Sequence, residues 1–185
     1  MDNLSEELSQ IENGVSVQRA STSLKDEKVF ESLFCERLKQ AGWHCDPQRF
    51  NQNNKKRVDV AAYHEVFKDV WFGFELKIPR AICDLTKALR QMIDYRKQKN
   101  WTYPFKVFCL ITPHRIDFIH IRYFWRWGFG VGNLDTMHVE FCNGEAKSTI
   151  NLAIPNYARY CSISERINHI LKRSTDGWNS YDDEY

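Results

Sequence analysis

The sequence predicts an α/β domain, a central mixed β-sheet flanked by helices, and three observations lead there. Apolar residues recur at helical spacing over 29–41 and again over 85–93. Two short stretches between those helices, 58–63, an apolar run with one embedded carboxylate, and 70–78, read as strands. A continuous apolar run over 105–111, Phe-Lys-Val-Phe-Cys-Leu-Ile, suits a central strand covered on both faces. With 185 residues, 43% of them apolar and 27% charged, the chain is long enough for one domain with a sizeable core and has an ordinary globular composition.

Taken in order, residues 1–23 are polar and read as a loosely held arm, with the domain itself spanning 24–173 and a polar to acidic tail at 174–185. Val29, Phe30, Leu33, Phe34, Leu38 and Ala41 mark the apolar stripe of a first helix, which Gly42 should stop. Residues 43–50 read as a short strand and 51–56 as a polar loop. Strands at 58–63 and 70–78 should then pair as a hairpin through a turn at 64–69. Pro79 cannot continue a ladder, and 81–99 reads as a second helix with Leu85, Ala88, Leu89, Met92 and Ile93 inward. Residues 117–127 are aromatic-rich and fit helix or strand, with helix favoured. Gly128-Phe-Gly130-Val-Gly132 reads as a flexible turn, its glycines spaced unlike dinucleotide or phosphate-loop fingerprints. A second hairpin is expected over 136–142 and 147–153, and a capped helix from Ser162 to Leu171.

Composition narrows the functional classes. The net charge of +2 neither supports nor opposes a nucleic-acid partner, so only local basic patches bear on it. Six scattered cysteines without a CxxC pair suggest reduced thiols in a cytoplasmic protein, and His44 beside Cys45 is too little for zinc. A secretory signal is not evident, and the most apolar stretch, 118–129, is too short and too charged to span a bilayer, so no membrane is expected.

The chemistry concentrates on Phe74-Glu75-Leu76-Lys77 and on Asp59. In a strand Phe72, Phe74 and Leu76 can fill a core while Glu75 and Lys77 emerge together on the other face. If the hairpin is in register, Asp59 joins them, and a slip of one residue would send it to the core. Two carboxylates with a backbone carbonyl, waters and a substrate phosphate meet the needs of a magnesium or manganese ion. Lys77 would stay charged there and serve electrostatically. The alternative is a structural ion pair on an exposed sheet face. Gln91 and Tyr95 lie four residues apart on the second helix and can reach over the hairpin, with the helix-surface pair as the ordinary alternative. On the first helix Glu27 and Glu31 share a direction, and Glu31 is singled out.

This order of elements, a helix with Glu31, a strand with Asp59, a strand with Glu75-Leu-Lys77 and a helix with Gln91-Met-Ile-Asp-Tyr95, resembles the PD-(D/E)xK nuclease superfamily and its RecB-like QxxxY members. The resemblance covers residues 24–111, and Val58 stands where the motif has proline. It implies a restriction-endonuclease-like fold and a metal-dependent nuclease acting on DNA ahead of RNA. Asp59 and Glu75 would hold Mg2+ or Mn2+, Lys77 would act at the reacting phosphate, Glu31 would be an auxiliary acid, and Gln91 and Tyr95 would contact substrate or order Lys77. Lys55, Lys56, Arg57, Arg80, Arg90 and Arg96 are candidate phosphate contacts, each of them ordinarily a solvated charge. Tyr123, Phe124, Trp125 and Trp127 suit base stacking, core or a subunit interface, so a homodimer or larger assembly stays open. The rival reading keeps the fold without catalysis, as a binding or interaction subunit of a repair, restriction or defence assembly.

Overall fold

A computed structural model of the chain describes residues 26–50, 56–67, 70–98, 100–143 and 146–153. Seven strands form one mixed sheet and three helices pack on it, among the described residues. The elements run α1 (Glu27–Gln40), β1 (His44–Phe50), β2 (Arg57–Tyr63), β3 (Trp71–Leu76), α2 (Ile82–Lys97), β4 (Phe105–Thr112), α3 (Phe118–Arg126), β5 (Gly130–Asn133), β6 (His138–Asn143) and β7 (Ala146–Asn151). The strands lie side by side in chain order. β1, β2 and β3 are antiparallel neighbours, β3, β4 and β5 are parallel, and β6 and β7 close the other side antiparallel. Pro47 is tolerated because β1 is an edge strand. The arm at 1–23, most of the polar loop, the expected helix at 162–171 and the tail lie outside the described residues.

Each helix begins and ends where local chemistry dictates. The Asp26 side chain caps α1 by accepting from the Lys28 amide, and Gly42 ends it at a φ of 85°, a conformation open to glycine. Asp84 reaches back to accept from the amides of Arg80 and Ala81 at the start of α2, two donors that the helix cannot satisfy itself.

The sheet is covered on both faces, and this decides the environment of the candidate site. On one face Phe30, Phe34 and Leu38 of α1 pack on Val60, Phe72, Phe74, Leu76 and Ile111. On the other, Leu85, Ala88, Met92 and Tyr95 of α2 and Ile121, Phe124 and Trp125 of α3 cover Phe108, Leu110 and Val131. Full burial of each large apolar side chain contributes roughly 1.5–3 kcal/mol. The α1 stripe is narrower than its spacing suggests: Val29 and Leu33 stay largely exposed, while Cys35 is buried instead.

A second departure concerns the glycine-rich segment. Gly128, at a φ of 68°, does end α3, but Gly130-Val-Gly132 is the buried strand β5 rather than a flexible turn. A Cβ on Gly130 would sit 2.6 Å from the Phe141 ring, and one on Gly132 would sit 2.5 Å from the His138 carbonyl oxygen. Close approach of β6, not loop flexibility, therefore requires these glycines.

No described helix is long and apolar enough to cross a membrane. Cys35, Cys45, Cys83, Cys109 and Cys142 are free thiols, and burial pushes Cys35 up to about 11 and Cys45 up to about 12. Cys161 lies outside the described residues.

Candidate active site on strands β2 and β3

The hairpin register is the one the site needs. Val60 faces Phe74 and Ala61 faces Gly73, so the alternation carries Asp59 and Glu75 to the same face, that of Ala61 and Gly73. Beyond Val60 the two strands part, and the Asp59 side chain takes over from the ladder: its Oδ2 accepts from the Leu76 amide at 2.8 Å. Asp59 is thereby fixed beside Glu75 by the backbone that follows it. On the far side of β3, the Lys77 amide donates to the Ile111 carbonyl at 2.9 Å and ties the end of the strand to β4.

Glu75 does not emerge into solvent as the alternation alone suggests. Because α2 lies over this face, its side chain is only 1% exposed. Tyr95, buried in α2, donates its hydroxyl to Glu75 Oε2 at 2.8 Å, and Gln91 donates its amide to the Tyr95 hydroxyl at 2.8 Å. The helical i, i+4 spacing thus builds a relay that fixes one oxygen of Glu75. The other, Oε1, lies 3.7 Å from Lys77 Nζ. Asp59 shows the same division: Oδ2 is held by the Leu76 amide, whereas Oδ1 has Arg57 Nη2 at 3.9 Å. Each carboxylate has one oxygen anchored and one held only in loose ion-pair range.

Electrostatically the pair is short of positive charge. Burial, and secondly the nearby Asp59 charge, push Glu75 up to about 8. Burial likewise raises Asp59 against the opposing pull of its hydrogen bond from Leu76 and of Lys77 and Arg57, and Glu31 adds to the rise. Burial and the charge of Glu75 raise Tyr95, which therefore remains a proton donor.

The structure treats the other sequence-derived residues unequally. Lys77 bridges Glu75 and Glu27, with its Nζ 3.7 Å from a carboxylate oxygen of each. So the acid of α1 that reaches the lysine is Glu27; Glu31, one turn on, acts on Asp59 through its charge. The signal for Glu27 was present in its i, i+4 relation to Glu31. Arg57 stands beside Asp59, and Lys56 pairs with Asp94 at 2.7 Å. Arg80 and Arg90 are exposed, whereas Arg96 donates to the Trp127 carbonyl and lies against the Phe129 ring, which places it in the seam between α2 and α3. Lys55 lies outside the described residues. Of the aromatics, Phe124 and Trp125 are core, and Tyr123 and Trp127 are exposed.

Among the described residues no group of three or more His, Cys, Asp or Glu side chains is arranged to hold a metal ion. Asp59 and Glu75 are a pair, so a cation between them would complete its shell from backbone oxygen, water or substrate, as magnesium commonly does. The fit of these two residues to such an ion rests on their charge and geometry: a buried and a half-buried carboxylate, both with raised pKa values and one unanchored oxygen each, lack what a hard divalent cation provides. Comparison of the chain with protein-family models, with curated proteins and with solved structures gives no match.

Proposed function

We propose that the protein is a metal-dependent nuclease that hydrolyses phosphodiester bonds in DNA, with Asp59 and Glu75 holding Mg2+ or Mn2+. The observation that carries this reading is the Asp59–Glu75 pair on one sheet face, Glu75 buried and Asp59 half-buried, with Lys77 just past the end of β3 and 3.7 Å from Glu75. The order of these residues along the chain resembles that of the PD-(D/E)xK nucleases. A divalent cation bound there supplies charge neutralisation and makes water acidic enough to attack a phosphodiester.

The chain's own residues have distinct tasks in this reading. Asp59 and Glu75 present hard oxygen ligands in fixed orientation, because the Leu76 amide and the Tyr95 hydroxyl each occupy one oxygen. Gln91 holds the Tyr95 hydroxyl and, through it, Glu75, so both are positioning residues. Lys77, with its Nζ 3.7 Å from Glu75 Oε1, offers that nitrogen to the phosphate as negative charge builds in the transition state. Glu27 steadies the lysine from α1. In the net reaction one water is consumed, its oxygen forms a new P–O bond, an ester P–O bond breaks, and a phosphate monoester end and a hydroxyl end result.

The test is cleavage of labelled single-stranded DNA, duplex DNA and RNA by the purified full chain with Mg2+, Mn2+ or EDTA. Cleavage of DNA with either metal is expected, absent in EDTA and lost in Asp59→Ala and Lys77→Ala that still melt cooperatively. No cleavage of any substrate by the wild-type chain, or unchanged cleavage by the variants, overturns the reading.

A further inference from the structure

A groove of about 390 Å³ opens at the carboxyl ends of the parallel strands β3 and β4. One wall is the segment between β3 and α2 with the first turn of α2, contributing Arg80, Ile82 and Leu85; the other is the segment between β4 and α3, contributing Arg115, Ile116 and His120. Its volume falls within the roughly 300–1,000 Å³ typical of ligand pockets. The first wall begins at Pro79, two residues beyond Lys77. Arg115 and Ile116 also line a smaller cavity of about 130 Å³ toward β5 and β6, which extends the same surface.

We infer that this groove is a binding site for an unpaired nucleotide of the nucleic-acid strand, with Arg80 and Arg115 on its phosphates and Ile82, Leu85 and Ile116 against its base. The inference rests on the nuclease reading for its partner, and three features single out an unpaired strand. First, an arginine lines each wall, Arg80 on one and Arg115 on the other. Asp117 is the one acid lining the groove, and Asp84 is already engaged by the amides of Arg80 and Ala81 and by Lys87 at 3.9 Å. Second, Arg115 can turn to a phosphate at little cost. Its partner Glu140, at 3.7 Å, is also paired with Lys147 at 3.1 Å and keeps that cation when Arg115 moves.

Third, the groove has an apolar part to its lining. Ile82, Leu85 and Ile116 line it, and Ile82 is 65% exposed at the start of α2. A duplex turns phosphates and sugars outward and gains nothing from such a surface. An unpaired base has an apolar face to lay on it, as bases extruded from the stack do in other enzymes.

The test is equilibrium binding of the full chain, in EDTA so that nothing is cut, to a labelled single-stranded DNA oligonucleotide and to its duplex, at several salt concentrations. The variants are Arg80→Ala with Arg115→Ala, and separately Ile82→Asp, whose exposed side chain makes it safe for folding. Each variant is expected to weaken single-strand binding roughly tenfold or more, about the size of one lost base contact, and duplex binding much less. The double arginine variant should also lower the slope of log affinity against log salt by about 1.4, for two lost single-strand phosphate contacts. Equal losses for both nucleic-acid forms would overturn the assignment in favour of a general phosphate contact. No loss in either variant would overturn it and leave the groove to a protein partner. Because the readout is binding without metal, a chain that binds unpaired strand through this groove yet never cuts would refute the nuclease reading and leave the groove assignment standing.

Discussion

Replacing Glu75 by glutamine removes a buried titrating carboxyl while keeping its shape and an oxygen that can accept from Tyr95. In the metal-free protein Glu75 is raised from an ordinary 4.5 to about 8, first by burial and then by the Asp59 charge. A carboxyl raised on folding holds its proton in the native state over a range where the unfolded chain has lost it. Its contribution to stability is full below pH 4.5 and is lost as the pH rises through about 8. At about 1.4 kcal/mol per pH unit, the wild-type chain at pH 7 should have lost about 3 kcal/mol relative to its stability at pH 4.5 from this group. Asp59, raised in the same direction, adds to the fall. Glu75→Gln does not titrate. Urea unfolding in EDTA should therefore find the variant close to wild type near pH 4.5 and more stable by about 2–3 kcal/mol at pH 7, with the slope of ΔG against urea unchanged. A variant less stable than wild type at pH 7, or parallel pH profiles for the two proteins, would refute the claim that burial holds the Glu75 carboxyl protonated on folding.

Two further substitutions probe neighbouring parts of the account. Tyr95→Phe removes the hydroxyl that donates to Glu75 and accepts from Gln91, so both groups lose a buried partner; unfolding free energy should fall by about 1–3 kcal/mol, and an unchanged urea midpoint would show that the relay does not hold Glu75. Gly132→Ala places a methyl 2.5 Å from the His138 carbonyl oxygen, which belongs to a paired strand and cannot yield as a flexible side chain would. A loss of about 1–3 kcal/mol is expected, and a neutral result would mean that β5 and β6 are not packed as described.

Much of the architecture could be read from local patterns because local chemistry determines it. Gly42 had to stop α1, the short runs over 58–63 and 70–78 had to make a two-strand pair, and the apolar run over 105–111 had to be covered on both faces. The register that unites Asp59 with Glu75 stayed conditional in the sequence, since sliding by one residue would bury Asp59 on the α1 face among Phe72 and Phe74, and the pairing of Val60 with Phe74 decides it. What escaped depends on neighbours distant in sequence. Nothing within Phe74-Glu75-Leu76-Lys77 reports that α2 will cover it, so Glu75 read as an emerging acid although it is buried beneath Tyr95. The glycines of β5 are needed by Phe141 and His138, which local reading could not supply, and so they passed for a turn. Glu27 and Glu31 point the same way from α1, and only the position of the helix relative to β3 decides that Glu27 meets Lys77.

The account stands on Asp59 and Glu75 forming a cation site, and the direct measurement is calorimetric titration of the purified wild-type chain with Mn2+ at pH 7. It should show saturable binding at the pair and release of protons into buffer, because Glu75, raised to about 8, gives up its proton when the ion takes its place. Asp59→Asn and Glu75→Gln should each abolish that binding. No binding by the wild-type chain, or undiminished binding by both variants, would contradict it.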